Sequence, residues 1–153
     1  THASEEQMIR ALTLSHLTVI YIKQSLGRLS ALCGCVVAAT GSSCGITYLM
    51  GGGYGQAAAA VKNMIANLTG MICDGAKPGC ALKIATAVSA AQRAAVLALS
   101  LEHTVQPYGI VSSDVEATIQ NLGTLGREGM GNANDVVLRM MLDGQHDENV
   151  LRL

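Results

Sequence analysis

Phenylalanine and tryptophan are absent from this chain, proline occurs twice, and 14% of the residues are charged. Without those rings, the apolar half of the composition takes its volume from Ala, Leu, Val, Ile and seven Met, with seventeen Gly among them. A core of that kind packs backbones closely. Ten basic residues against eleven acidic ones leave no strong field of either sign, which argues against nucleic acid or an anionic membrane surface as partner. Sparse charge also implies an apolar surface, which in a soluble protein is expected to be covered by another segment or subunit. A fragment of a longer protein, or a homo-oligomer, is the expectation.

Other absences narrow the class further. The chain opens on Thr1, with no cationic leader followed by an apolar stretch and a small-residue cleavage site; such an opening is expected of a processed or excised chain. A membrane span needs about 20 mainly apolar residues. The apolar run 31–39 is too short, and the stretch from Cys80 to Leu101 carries Lys83 and Arg93, so no membrane partner is expected. No run alternates as a strand should, no unit repeats at a fixed period, and no low-complexity linker divides the chain. One domain over residues 1–153 is expected. Five cysteines, an odd number without a secretion signal, argue against a complete disulfide framework and for reduced thiols or metal ligands, hence for the cytoplasm.

What is present reads as all-α, a compact bundle of about six helices with Gly-rich close packing and a Cys-bracketed loop. Ser4 to Gln7 is a capping box, opening a helix through Met8, Ile9, Leu12, His16, Val19 and Ile20 to about Gln24. After Gly27, residues 29–50 are almost all small or apolar, as in a helix buried on all sides with a break near Gly41. Gly51, Gly52, Gly53 and Gly55 separate it from an Ala-rich helix over 56–68. Turn formers fill 69–79, and a long helix runs from Cys80 to about Glu102. Ser113 to Glu116 reads as a second capping box before Ile119 and Leu122, and Asn134 with Asp135 as the start of a last helix through Val137, Met140 and Met141. Residues 144–153 read as a loosely held polar tail.

The cysteines are Cys33, Cys35, Cys44, Cys73 and Cys80, and no spacing among them matches paired zinc knuckles or a tight ferredoxin run. Most free thiols in an Ala-rich core are small buried hydrophobes, which is the preferred reading for Cys35 and Cys44. Cys73 and Cys80 differ, because they stand at the two ends of a Gly/Pro loop, the second at a helix N-terminus, where the dipole and exposed N–H groups favour a negatively charged cluster. Asp74 and Lys77 inside that loop either order it and balance charge or are a solvated turn. The three consecutive glycines lack the strand and the Lys-Ser/Thr of a phosphate loop. His16 reads as a hydrogen-bonded core residue, and no catalytic role falls to it, Tyr21, Lys23 or Arg28. The methionines read as packing.

The stretches SLGRLSALCGC (residues 25–35), GITYL (45–49) and KNMIANLTGMICDGAKPGCALK (62–83) closely resemble the bacterial and archaeal L-cysteine desulfidases and serine-dehydratase alpha-chain-like proteins. The resemblance extends from about Leu14 to Met141 and includes Gly109, Ile110 and residues 121–130. It implies a [4Fe-4S] cluster on three cysteines, one upstream, a second 40 residues on and a third seven later, which maps onto Cys33, Cys73 and Cys80. Three protein ligands would leave one iron not ligated by protein and open to an amino-acid substrate. The implied reaction is β-elimination from L-cysteine to pyruvate, ammonia and sulfide, with L-serine dehydration as the alternative. The family's longer chains imply that the base, and much of the substrate site, lie in an N-terminal catalytic part outside this chain, which alone should be inactive. A reading from another class is a non-catalytic helical metal, redox or interaction module. On the cluster reading the three thiols should share one surface, with Cys35 pointing elsewhere, since helical positions two apart diverge by about 200°.

Overall fold

The computed structural model describes residues 3–27, 30–100 and 105–144. In chain order the elements are α1 (Glu5–Leu26), α2 (Gly34–Leu49), α3 (Tyr54–Leu68), α4 (Cys80–Ser100), α5 (Val115–Thr124), a π-helical turn (Leu125–Gly129) and α6 (Gly131–Gly144). No strand is present among the described residues, and the expectation of an all-α bundle of about six helices holds. The expected tail beyond Gly144 lies outside the described residues.

The capping box at the head of α1 is complete. Ser4 Oγ accepts from the Gln7 amide at 3.2 Å, and Gln7 Oε1 accepts from the Ser4 amide at 2.8 Å. Two orphan donors are thereby satisfied, with Glu5 and Glu6 in the positive first turn. The helix ends at Gly27, whose φ of +81° is a conformation that side-chain-bearing residues avoid. His16, expected in the core, is exposed on α1.

Helix α2 sits at the centre and packs against α1, α3 and α4. It departs from the sequence expectation twice. It begins at Gly34 rather than near Leu29, because Ala31 to Cys33 are extended and paired with the segment at 71–73. It also runs unbroken through Gly41. That glycine and Gly45, one turn on, are instead where α1 comes closest: a Cβ on Gly45 would stand 2.8 Å from the Ala11 carbonyl oxygen, and one on Gly41 would overlap the Ser15 carbonyl and Val19. Burial of α2 is not complete on all sides, since Gly34, Ala38 and Ser42 leave an open stripe. Its buried hydroxyls bond within the helix, Thr40 to the Val36 carbonyl at 2.8 Å and Thr47 to the Ser43 carbonyl at 2.7 Å, so polar groups enter the core without an unpaired donor.

Helix α4 presents a face of Ala87, Ala90, Ala91, Ala94, Ala95 and Ala98, all buried against α2 and α3. Alanine buries little area, so core stabilisation comes chiefly from the larger buried side chains, Ile22, Leu26, Met64 and Ile65 among them, each worth about 1.5–3 kcal/mol when fully buried. Asn63 is buried between α3 and α4, donating to the Ala94 carbonyl at 3.4 Å and accepting from the Val105 amide at 2.9 Å. Among the described residues α4 alone has the length and mean hydropathy of a membrane span, 21 residues and 1.3, but its alanine face is packed inside the bundle.

Helix α5 begins one residue later than its expected box. Asp114 is the N-cap, accepting from the Ala117 amide at 2.9 Å, and Glu116 instead accepts from the Tyr21 hydroxyl of α1. Gly123 lies against the end of α1, where a Cβ would come within 2.7 Å of the Ser25 carbonyl oxygen, and Arg127 donates to that same carbonyl. Helix α6 starts at Gly131, three residues ahead of Asn134.

Candidate functional site

The residues quoted around the cysteines come together through a short antiparallel contact. Cys33 N donates to the Met71 carbonyl at 2.9 Å and Cys73 N donates to the Ala31 carbonyl at 2.7 Å, making Leu32 and Ile72 directly opposed residues. Side chains alternate along extended backbone. Leu32 and Ile72 therefore take one side of this ribbon, and Ala31, Cys33, Met71 and Cys73 take the other. Cys33 faces Met71 across the ribbon and is the diagonal neighbour of Cys73, a relation that long or polarisable side chains can span.

The loop then turns back to α4. Gly75 has φ +92°, and its carbonyl oxygen lies 3.7 Å from Cys80 Sγ. The Cys80 amide donates to the Lys77 carbonyl at 2.9 Å as the helix begins. Cys33 is the N-cap of α2 and Cys80 the first residue of α4, so two helix N-termini start at these residues, each favouring negative charge beside it. Cys33 is buried, while Cys73 and Cys80 are half-buried.

Cys35 does not point elsewhere. Its Sγ lies 3.2 Å from Cys33 Sγ and 3.5 Å from Met71 Sδ. The helical rotation that was expected to separate the two thiols does not apply, because Cys33 lies outside the helix with ψ 130°. Burial pushes the Cys35 thiol up to about 11, helped by the hydrogen bond and charge of Cys33 and opposed by the Lys83 ammonium. Cys44 behaves as expected of a packing residue, buried with its Sγ 3.8 Å from the Ala57 carbonyl and its thiol raised by desolvation.

One side chain at the thiol loop escaped the sequence reading. Lys83 Nζ donates to the Ile72 carbonyl at 2.8 Å and to Asp74 Oδ1 at 2.7 Å. The other Asp74 oxygen takes Lys77, as the expectation of a charge-ordered loop allowed. These two ammonium groups, Lys77 first, hold the Asp74 carboxyl down to about 2. Lys83 is itself raised above an ordinary lysine, chiefly by Asp74, with Cys33 and Cys80 adding to the effect. The available signal was its position three residues after Cys80, on the same helix face.

Among the described residues no three His, Cys, Asp or Glu side chains stand at the spacing that grips a single metal ion. Iron–sulfur clusters are wider than one ion and are held chiefly by Cys thiolates. The donor set here is of that soft type, four thiols and a thioether on Cys33, Cys35, Met71, Cys73 and Cys80, and the Cys33 and Cys73 side chains share one face of the ribbon. The chemistry of the residues fits such a group.

Fold and site together define a helical domain that carries its thiols on a short ribbon and the loop leading into a helix. Residues 1–139 match the family model described as the serine dehydratase alpha chain, and the chain belongs to that family. It is 63% identical over 146 residues to a UPF0597 protein of Phocaeicola vulgatus, covering 95% of this chain and 34% of the relative. Against a UPF0597 protein of Bacteroides fragilis it is 65% identical over 138 residues, covering 90% of this chain and 32% of the relative. A UPF0597 protein of Oleidesulfovibrio alaskensis is 51% identical over 140 residues, covering 92% of this chain and 33% of the relative. The chain thus spans about a third of the length of these relatives. No solved structure matches it.

Proposed function

We propose that this chain is the cluster-binding part of an iron–sulfur β-eliminating lyase, with Cys33, Cys73 and Cys80 holding a [4Fe-4S] cluster, one iron of which is not ligated by protein. The observation that carries this reading is the ribbon contact, which turns two cysteines 40 residues apart into neighbours on one face and leads directly into the loop ending at Cys80. Membership of a lyase family supports the reaction class. The substrate is L-cysteine, converted with one water to pyruvate, ammonia and hydrogen sulfide; L-serine, converted to pyruvate and ammonia, is the second reading, favoured by the family's description.

When bound, the cluster supplies a Lewis-acidic iron able to polarise a substrate carboxylate or β-substituent. The chain's own residues do the rest. The helix ends at Cys33 and Cys80 favour negative charge beside them, and Lys83, fixed on Ile72 and Asp74, adds a cation within reach of both thiols. Cys35 Sγ stands 3.2 Å from Cys33 Sγ as a fourth thiol at the site, outside the ligand set proposed here.

The titratable side chains described beside the thiols, Asp74, Lys77 and Lys83, are paired with one another, so proton abstraction is assigned to the remainder of the longer protein. The outer faces of α1 and α4 support a docked partner of that kind, with Ile9, Leu17, Leu82 and Val96 all more than half exposed. A second copy of the chain is the alternative cover for these faces. Five free thiols suit a reducing compartment, the cytoplasm.

The test is anaerobic reconstitution with iron and sulfide of the wild type and of Cys33→Ala, Cys73→Ala, Cys80→Ala and Cys35→Ala. About four irons per chain are expected in the wild type and in Cys35→Ala, and loss of the cluster in the other three. Joined to the remaining two-thirds of the protein, the reconstituted wild type should release sulfide from L-cysteine faster than it dehydrates L-serine. A faster serine reaction would give the second reading, and a wild type that takes up no iron in either form would end the cluster reading.

A further inference from the structure

We propose that Lys83 is the positioning residue of the thiol loop: its ammonium ties the chain on both sides of Cys73 to the first turn of α4, and so fixes Cys73 relative to Cys80. The purpose rests on the cluster reading above, while the geometry stands without it.

Lys83 lies three residues beyond Cys80, on the same face of α4. Its Nζ donates to the carbonyl of Ile72, the residue before Cys73, at 2.8 Å, and to the carboxylate of Asp74, the residue after it, at 2.7 Å. Cys73 is therefore bracketed by two bonds to one side chain. Its own amide is engaged on the other side with Ala31, at 2.7 Å. The backbone at Cys73 is thus held to the Cys33 segment by the ribbon and to the Cys80 helix by Lys83, and, two residues on, the Cys80 thiol adds a weaker contact from α4 to the Gly75 carbonyl at 3.7 Å.

The pair is partly screened from solvent. The Lys83 side chain is 24% exposed and that of Asp74 40%, so water screens this pair less than a fully exposed one. Lys77 binds the same carboxylate but is 49% exposed, and it belongs to the loop itself, so it cannot tie the loop to the helix. Two ammonium groups on one carboxylate also leave the loop with a positive charge in excess, beside thiols that would carry a net negative cluster. Charge near a cluster is one determinant of its reduction potential, which separates a role at the site from simple loop stabilisation.

The experiment compares Lys83→Met, Lys83→Arg and Asp74→Asn with the wild-type full chain. In metal-free protein, amide exchange over residues 71–79 should rise by about threefold or more in Lys83→Met, the size of a partly exposed charged pair, with exchange in the centre of α2 unchanged. Lys83→Arg should restore slow exchange. After reconstitution, Lys83→Met should retain less iron, and the cluster it keeps should have a lower midpoint potential, again recovered by arginine. Should Lys83→Met fail to fold, Asp74→Asn, at a 40% exposed side chain, carries the exchange test in the same direction. Unchanged exchange over 71–79 in both variants overturns the proposal. If the wild type takes up no iron while exchange still rises, the tie stands and the cluster reading falls.

Discussion

The two ends of α2 are held by opposite means. From its middle onward, Gly41 and Gly45 let α1 approach to backbone contact, and nothing charged takes part. At its N-terminus, the extended segment leading into Cys33 is fixed by two backbone hydrogen bonds to 71–73, and that partner segment is held in turn by a lysine and an aspartate. The seam depends on shape and tolerates no added volume. The loop depends on a few directional polar bonds, so it can be loosened without unfolding the rest. A close-packed core beneath a separately held loop is the arrangement from which local opening of the loop alone is expected.

The largest expected effect comes from filling the seam. Gly41→Val forces a branched side chain into the Ser15 carbonyl and Val19, and should cost about 1–3 kcal/mol or more, read as a fall in the thermal or urea midpoint. An unchanged midpoint would mean that α1 can shift away and that the contrast with the loop is overstated.

A smaller effect should come from acid. The Asp74 carboxyl is held at about 2, against a usual 3.8, by Lys77 and Lys83. A carboxyl whose value is depressed on folding contributes stability above its usual value and loses it as pH falls through the folded one. Amide exchange over 71–79, corrected for its intrinsic pH dependence, should therefore rise between about pH 4 and pH 2. Gly41, Gly45, Ala11 and Ser15 carry no titrating side chain, so the seam should not follow. Parallel changes at both places would show that the loop is not an independent unit.

The smallest change is expected at Tyr21→Phe. Its hydroxyl donates to Glu116 across an apolar groove of about 470 Å³ between α1, α3 and α5. Glu116, through that bond and its charge, raises the phenol above its ordinary value. The pair is exposed, and exposed pairs contribute little, so the thermal midpoint should stay where it is. A clear drop would mean that this bond helps to hold α5 on α1.

Helix boundaries were most legible where a local chemical device marks them. Ser4 and Gln7 form the capping box that their spacing announces, and Gly51 to Gly53 do separate α2 from α3. Where two devices overlapped, the sequence misled: Ser113 and Asp114 are both good caps, and Asp114 is the one used. Residues 30–33 are small and apolar enough for helix, yet pairing with a segment 40 positions away takes them out of it. No local propensity reports a partner that distant.

The sequence by itself determined that this is an all-helical chain with a close-packed, aromatic-poor core, that Cys73 and Cys80 bracket a turn-rich loop, and to which family the chain belongs, because composition, caps and motifs are properties of neighbouring residues. Tertiary structure alone decided that Cys33 and Cys73 share a ribbon face, that Cys35 lies against Cys33, and that Lys83 closes the loop onto α4. Each of these depends on bonds between segments brought together only when the glycine seam and the alanine face have packed.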